Sequence, residues 1–169
     1  LGSVPGTLPM SAINLVGAGL TPTPGLVVNF RSFSTGCTDA LLCTAAITDT
    51  PLRTGQGNHG GFSRAETRNF MAAAGPDFKS GYVDDAPASN ADIAHTLAKA
   101  LGLNLSPKGK LSGRALGESL KGGATISATR KTVTSAPGEG GLTTVLEVQQ
   151  VGTTRYFDAA GFPGRTVEI

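Results

Sequence analysis

The chain has 169 residues, with 24 glycines, 10 prolines and a formal charge of +2 from 14 basic and 12 acidic residues. Hydrophobic residues at 39% allow a core and exclude both a disordered acidic tail and a collagen-like repeat. No basic stripe and no run of about 18 apolar residues occurs, so neither nucleic acid nor a membrane is an expected partner.

The surplus glycine belongs in loops and turns, where it adopts backbone angles that other residues avoid, and a loop-rich α/β domain is expected. The start, Leu1-Gly-Ser-Val-Pro5, has no methionine, basic n-region or long apolar h-region, and reads like the start of a mature or cleaved product. Residues 1–24 read as irregular coil with a helical turn at Ser11–Val16. Leu26–Phe30 follows as a buried strand, four of its five residues apolar, with Gly25 before it. Residues 31–61 predict an extended surface excursion with little regular structure, the kind of long loop that often carries function.

Cys37 and Cys43 lie six apart within that stretch. They are compatible with a small disulfide loop, implying an oxidising compartment, or with two buried free thiols. Metal binding fits less well, because zinc motifs use shorter gaps and further ligands nearby.

Ser63-Arg-Ala-Glu66 matches a capping box and predicts a short turn through Arg68. Asn69–Ala74 is a second strand candidate, ended by Gly75-Pro76. The strongest helix signal runs from Ser89 or Asn90 to Leu101. Ile93, Leu97 and Leu101 line one face there, His95 points to solvent, and Gly102 stops the helix. Lys108, Lys110 and Arg114 read as a solvated loop, and Arg114–Leu120 as a shorter helical piece. Thr129–Ser135 and Leu142–Val151 then flank the turn Pro137–Gly141 as a β-hairpin, with Leu146 and Val148 sharing one face. Thr153–Asp158 predicts a third strand.

The chain has only two histidines, which narrows the acid–base and metal options. His59 stands in Gly55-Gln-Gly-Asn-His-Gly-Gly61, where glycines strip bulk from both sides and let a ligand or ion approach. A loop histidine in a tight turn is the alternative reading. The pattern Gly55-x-Gly57-x-x-Gly60 imitates a dinucleotide fingerprint, but it lacks the preceding strand and following helix that the fingerprint needs. No Walker-type Gly-Lys-Ser/Thr and no Gly-x-Ser-x-Gly elbow occurs. Asp84 and Asp85 read as a turn.

The run from Gln56 through His59-Gly-Gly-Phe-Ser to Gly75-Pro-Asp-Phe-Lys79 resembles the C-terminal part of alkaline phosphatase superfamily hydrolases. It is most similar to bacterial type I phosphodiesterase/nucleotide pyrophosphatase-like enzymes. Ala86-Pro-Ala-Ser-Asn-Ala-Asp-Ile-Ala-His-Thr-Leu97, Leu101-Gly-Leu103 and Gly113-Arg-Ala-Leu116 fit the closing helix and tail of that domain, so the resemblance covers roughly residues 22–120. It implies a partial alkaline-phosphatase-like sheet with a helix over residues 1–124, and residues 125–169 as a β-hairpin extension. It also implies that His59 is a ligand in a two-metal site, usually zinc, acting on a phosphoester substrate, in a periplasmic or secreted hydrolase.

The superfamily's nucleophile, its early Asp, and its Asp-x-x-x-His and Asp-His ligand pairs have no counterpart in this sequence. The resemblance therefore implies the C-terminal segment of a longer hydrolase, inactive alone, whose partner is the N-terminal part of the same protein. A sulfatase-like parent and a non-catalytic binding or structural module are the alternatives. The segments at Leu26 and Asn69 are expected to expose unpaired edges or apolar neighbours, which also makes a homo-oligomer an expected arrangement.

Overall fold

The structure is a computed structural model that describes residues 4–15, 24–47, 51–53, 56–57, 59–106 and 113–169. Its architecture is mixed α/β, with two small antiparallel sheets and few helices. The chain divides into two compact units. One comprises Leu1–Asn69, Thr132–Glu147 and Phe157–Ile169, the other Phe70–Lys131 and Val148–Tyr156.

In the first unit, residues 31–47 form more than a loop. Ser32–Ser34 (β1) pairs antiparallel with Thr44–Ala46 (β2), in the register Ser32 to Ala46, Phe33 to Ala45 and Ser34 to Thr44. A short 3-10 turn at Ala40–Cys43 joins them, capped by the Asp39 carboxylate, which accepts from the Leu41 amide at 3.0 Å. Cys37 and Cys43 are bridged, which settles the two readings of that pair in favour of the disulfide. Strands of three residues carry too little alternation to register against Gly, Thr and Ser, so the sequence pattern does not show this sheet. β1 is tied to the C-terminal turn, with the Ser32 amide donating to the Arg165 carbonyl at 3.0 Å and the Val167 amide to Ser32 Oγ at 2.9 Å.

Leu26–Phe30 is not a strand. It forms no ladder, and Leu26, Val28 and Phe30 are 61%, 64% and 49% exposed. Asn69–Ala74 likewise forms no strand, and Phe70 is 93% exposed. Both runs have the composition of a buried strand, but a strand exists only where a neighbour completes its hydrogen bonds. The 3-10 turn at Met10–Ile13 replaces the turn expected at Ser11–Val16, whose last residue lies outside the described residues. Lys108 and Lys110 lie outside them as well.

The C-terminal strands follow the sequence reading closely. Thr129–Thr134 (β3), Val145–Val151 (β4) and Thr154–Gly161 (β5) form a sheet in the order β3-β4-β5. The Gly138 amide donates to the Leu142 carbonyl at 2.8 Å in the connecting turn. β4 buries Leu146 and Val148, and β5 buries Tyr156 and Ala159. Leu146, Ala159 and Val167 belong to the core of the first unit, and Val148 and Tyr156 to that of the second.

In the second unit one helix, Asn90–Ala100, organises the packing. Ser89 caps Asn90–Ala100, labelled α2 after the short helix α1 at Arg64–Thr67 of the first unit. The Ser89 amide donates to Asp92 Oδ2 at 2.8 Å and the Ala91 amide to Ser89 Oγ at 3.2 Å, closing a capping box. Gly102 ends the helix in the left-handed region (φ +65°), where a Cβ would be strained.

The orientation of α2 reverses the sequence expectation. Asp92, Thr96 and Ala98 are buried, whereas Ile93, Leu97 and Leu101 are 42%, 49% and 69% exposed. His95 is half-buried rather than solvent-facing. Arg114–Leu120 contains only the 3-10 turn Gly117–Ser119, and Leu120 pairs with Phe78 in an isolated antiparallel bridge.

Candidate functional site

His59 sits on an exposed stretch of loop in the first unit, and its neighbours Gly55 and Asn58 lie outside the described residues. Three residues further on, the chain is anchored. The Phe62 amide donates to Asn29 Oδ1 at 3.2 Å, and the Phe62 carbonyl accepts from the Ala160 amide of β5 at 2.7 Å. Asn29 Nδ2 donates in turn to the Ala160 carbonyl at 3.0 Å, so one carboxamide ties loop to strand. The Phe62 ring tilts against Phe157 with centroids 5.0 Å apart, a favourable aromatic geometry.

Gly61 has a structural duty beyond framing the histidine. A Cβ there would overlap the Glu66 carboxylate, which accepts from the Ser63 amide at 3.4 Å and the Ser63 hydroxyl at 3.2 Å. The capping box predicted at Ser63 is present, and a Cβ at position 61 would make the Glu66 side chain shift.

α1 carries a cation that the sequence reading passed over. Arg64 is 18% exposed and meets three carboxylates: Glu147, Asp158 at 3.4 Å and Glu168 at 3.3 Å. Burial alone would lower its pKa, but Asp158, Glu147 and Glu168 outweigh it and raise the value. With three anions around one guanidinium, Arg64 is engaged within the fold and is not offered to a phosphate. Thr67 Oγ1 adds a hydrogen bond to the Asp158 carbonyl, fastening α1 to β5.

The first unit also holds an apolar cavity of about 230 Å³, lined by Leu8, Met10, Ile13, Leu26, Phe62 and Leu146 among others. The polar side chains on its wall are engaged. Thr144 Oγ1 donates to the Gly6 carbonyl at 2.6 Å, and Asn29 is occupied as described. The cavity suits apolar surface.

In the second unit the polar residues converge on Asp92, which is fully buried. Its carboxylate accepts from the Arg114 amide at 2.7 Å and from the Tyr156 hydroxyl at 3.0 Å, in addition to Ser89. Burial, reinforced by the bond to Asp92, pushes the Tyr156 pKa up to about 12. Arg114, expected in a solvated loop, is only 13% exposed as a side chain and pairs with buried Glu118 at 2.6 Å. Its guanidinium also lies 5.8 Å from the Tyr156 ring centroid.

Asp84 forms the expected turn, accepting from the Ala86 amide at 3.1 Å. Burial, with the negative Glu118 nearby, raises its pKa above the usual carboxylate range. The spacings Ser89-x-x-Asp92 and Arg114-x-x-x-Glu118 were the available signals for this network.

Of the residues weighed from sequence, His59, Cys37 and Cys43 lie in the first unit, and His95, Asp84 and Asp85 in the second. Both cysteines are consumed by their disulfide. Among the described residues, no group of three or more His, Cys, Asp or Glu side chains could hold a metal ion. A structural or catalytic zinc takes three or four protein ligands, so among the described residues His59 would supply one ligand and could not complete a zinc site by itself.

Also among the described residues, no helix is long and apolar enough to cross a membrane. No family model, no curated protein and no solved structure matches the chain.

Proposed function

We propose that this chain is the C-terminal segment of a metal-dependent phosphoester hydrolase of the alkaline phosphatase type, inactive alone. It contributes His59 to a centre whose nucleophile and remaining ligands come from another part of the same protein. The observation that carries this reading is the glycine-framed His59, exposed on a loop anchored at Phe62 by Asn29 and β5. It is supported by the resemblance of residues 56–79 and of the helix starting at Ser89 to the closing part of such enzymes. The exposed Leu26, Val28 and Phe30 add to it, as an apolar row that a covering portion would bury.

When bound, zinc ions would supply Lewis-acid activation and charge neutralisation at the phosphoryl group. The chain's own contribution is to hold an imidazole donor on a loop fixed at its C-terminal side. The disulfide agrees with a periplasmic or secreted location.

The test is hydrolysis of bis(p-nitrophenyl) phosphate with added zinc, using this chain and the longest natural product that contains it. The chain alone is expected to be inactive. The longer protein is expected to turn over and to lose activity by at least about a hundredfold in His59→Ala. A longer protein that is inactive, or that is indifferent to His59→Ala, overturns the reading. A sulfatase-like parent would instead favour the sulfate ester.

The apolar cavity favours a second reading, a non-catalytic module that binds an apolar ligand. Under that reading, zinc uptake is absent and the cavity takes up an aliphatic probe.

A further inference from the structure

The disulfide between Cys37 and Cys43 is asymmetric in its surroundings. Cys37 is exposed and Cys43 is half-buried. The backbone at Cys43 is held across the loop by Thr35: its carbonyl accepts from the Thr35 amide and from Thr35 Oγ1, each at 3.0 Å. Two donors also reach its sulfur. The Cys37 amide lies 3.0 Å from Cys43 Sγ, and the Ser34 hydroxyl 3.5 Å from it. Ser34 Oγ already accepts from the Gly36 amide at 3.2 Å, and a bridged sulfur has no proton to give. The Ser34 O–H is therefore the donor to Cys43.

Hydrogen bonds to a sulfur favour its thiolate, and in thiol–disulfide exchange the better-stabilised thiolate is the better leaving group. The nearest carboxylate in the loop does not cancel this effect. Asp39 is occupied by the Leu41 amide at 3.0 Å and by Arg68 at 3.3 Å.

We propose that Cys37 is a thiolation site: a small external thiolate attacks Cys37 Sγ and becomes attached there, while Cys43 departs as the thiolate held by the Cys37 amide and Ser34. One S–S bond forms between the incoming sulfur and Cys37, and the Cys37–Cys43 bond breaks. The electron pair of that bond leaves on Cys43, so one thiolate is consumed and one is produced, with no net oxidant. A second equivalent of the external thiol completes the reduction by displacing itself from Cys37 as the symmetrical disulfide. Opening the bridge leaves the Cys43 backbone fastened by Thr35 and the attached group on the exposed Cys37 side chain.

The experiment uses the oxidised full chain and glutathione, with a rapid acid quench, alkylation of free thiols and localisation of the adduct by peptide fragmentation. The expected result is glutathione on Cys37 in about fivefold excess over Cys43, with the alkyl label on Cys43. Ser34→Ala removes one donor and is expected to reduce that excess about twofold. An adduct mainly on Cys43, an even mixture, or a bridge that excess glutathione never opens overturns the proposal.

The single-cysteine variants give an independent measurement that does not require the bridge. The pH profile of alkylation of Cys43 in Cys37→Ser, which keeps the position-37 amide, is expected to lie below that of Cys37 in Cys43→Ser. The reverse order overturns the proposal.

Discussion

β4 and α2 both have a clear apolar stripe in the sequence, and the two elements treat it in opposite ways. β4 puts Leu146 and Val148 inside, 1% and 4% exposed, as an alternating strand on a half-buried sheet should. α2 turns Asp92 and Thr96 inward and leaves Ile93, Leu97 and Leu101 facing out. The physical difference lies in what each interior offers. β4 lies between β3 and β5, and β5 buries apolar residues of its own. The inward face of α2 meets backbone donors and a phenol: the Leu116 amide donates to Thr96 Oγ1 at 2.9 Å, and the Arg114 amide and Tyr156 hydroxyl converge on Asp92. A stripe identifies a face. The hydrogen-bonding demand of the neighbours decides which way it turns.

The contrast can be broken at its polar end first. Asp92→Ala would strip the acceptor from the Ser89 and Arg114 amides and the Tyr156 hydroxyl, and is expected to cost about 4 kcal/mol in urea unfolding. A loss below about 1 kcal/mol would mean that the helix does not depend on its polar face. The apolar counterpart, Leu146→Ala, is expected to cost about 3 kcal/mol by the same measurement, from lost burial plus a residual cavity.

Tyr156 gives a pH signature. Its folded pKa of about 12 lies above the ordinary tyrosine value of 10.0, because burial and Asp92 favour the neutral phenol. The neutral form is therefore preferred by the folded state. The stabilisation is complete below the unfolded pKa and is lost as pH rises from there through the folded one. Denaturation midpoints should fall across that alkaline window, and fall less in Tyr156→Phe. An equal fall in both proteins would remove the phenol from the account.

The smallest effect belongs to the exposed stripe. Leu97→Ser on the outward face is expected to change stability of the isolated chain by no more than about 0.5 kcal/mol, whereas burial of that face would make it several times larger.

Local chemistry in the sequence located the ends of elements well. Ser89 and Gly102 bracket α2 as expected, Ser63 and Glu66 form their capping box, and Pro137–Gly141 turns β3 into β4. These features depend on residues within a few positions of one another, so they are visible without a fold. Leu26–Phe30 and Asn69–Ala74 form no strands because pairing requires a neighbouring strand, and apolar composition does not state whether one is present. The Arg64 cluster was hidden for the same reason, since Glu147, Asp158 and Glu168 lie 83 to 104 positions away. For the candidate site, the sequence singled out His59 through its glycines, but the anchoring of that loop by Asn29 and Ala160 became visible only in three dimensions.

Spacing and turn chemistry thus specify caps, stops, hairpin turns and the short reach between Cys37 and Cys43, because each is a contest among neighbouring backbone groups. Long-range packing specifies the inward face of α2, the anchoring of the His59 loop and the ion cluster on α1. Those outcomes depend on which donors and acceptors the folded chain brings together, and buried polar groups without partners cost too much for the arrangement to be indifferent.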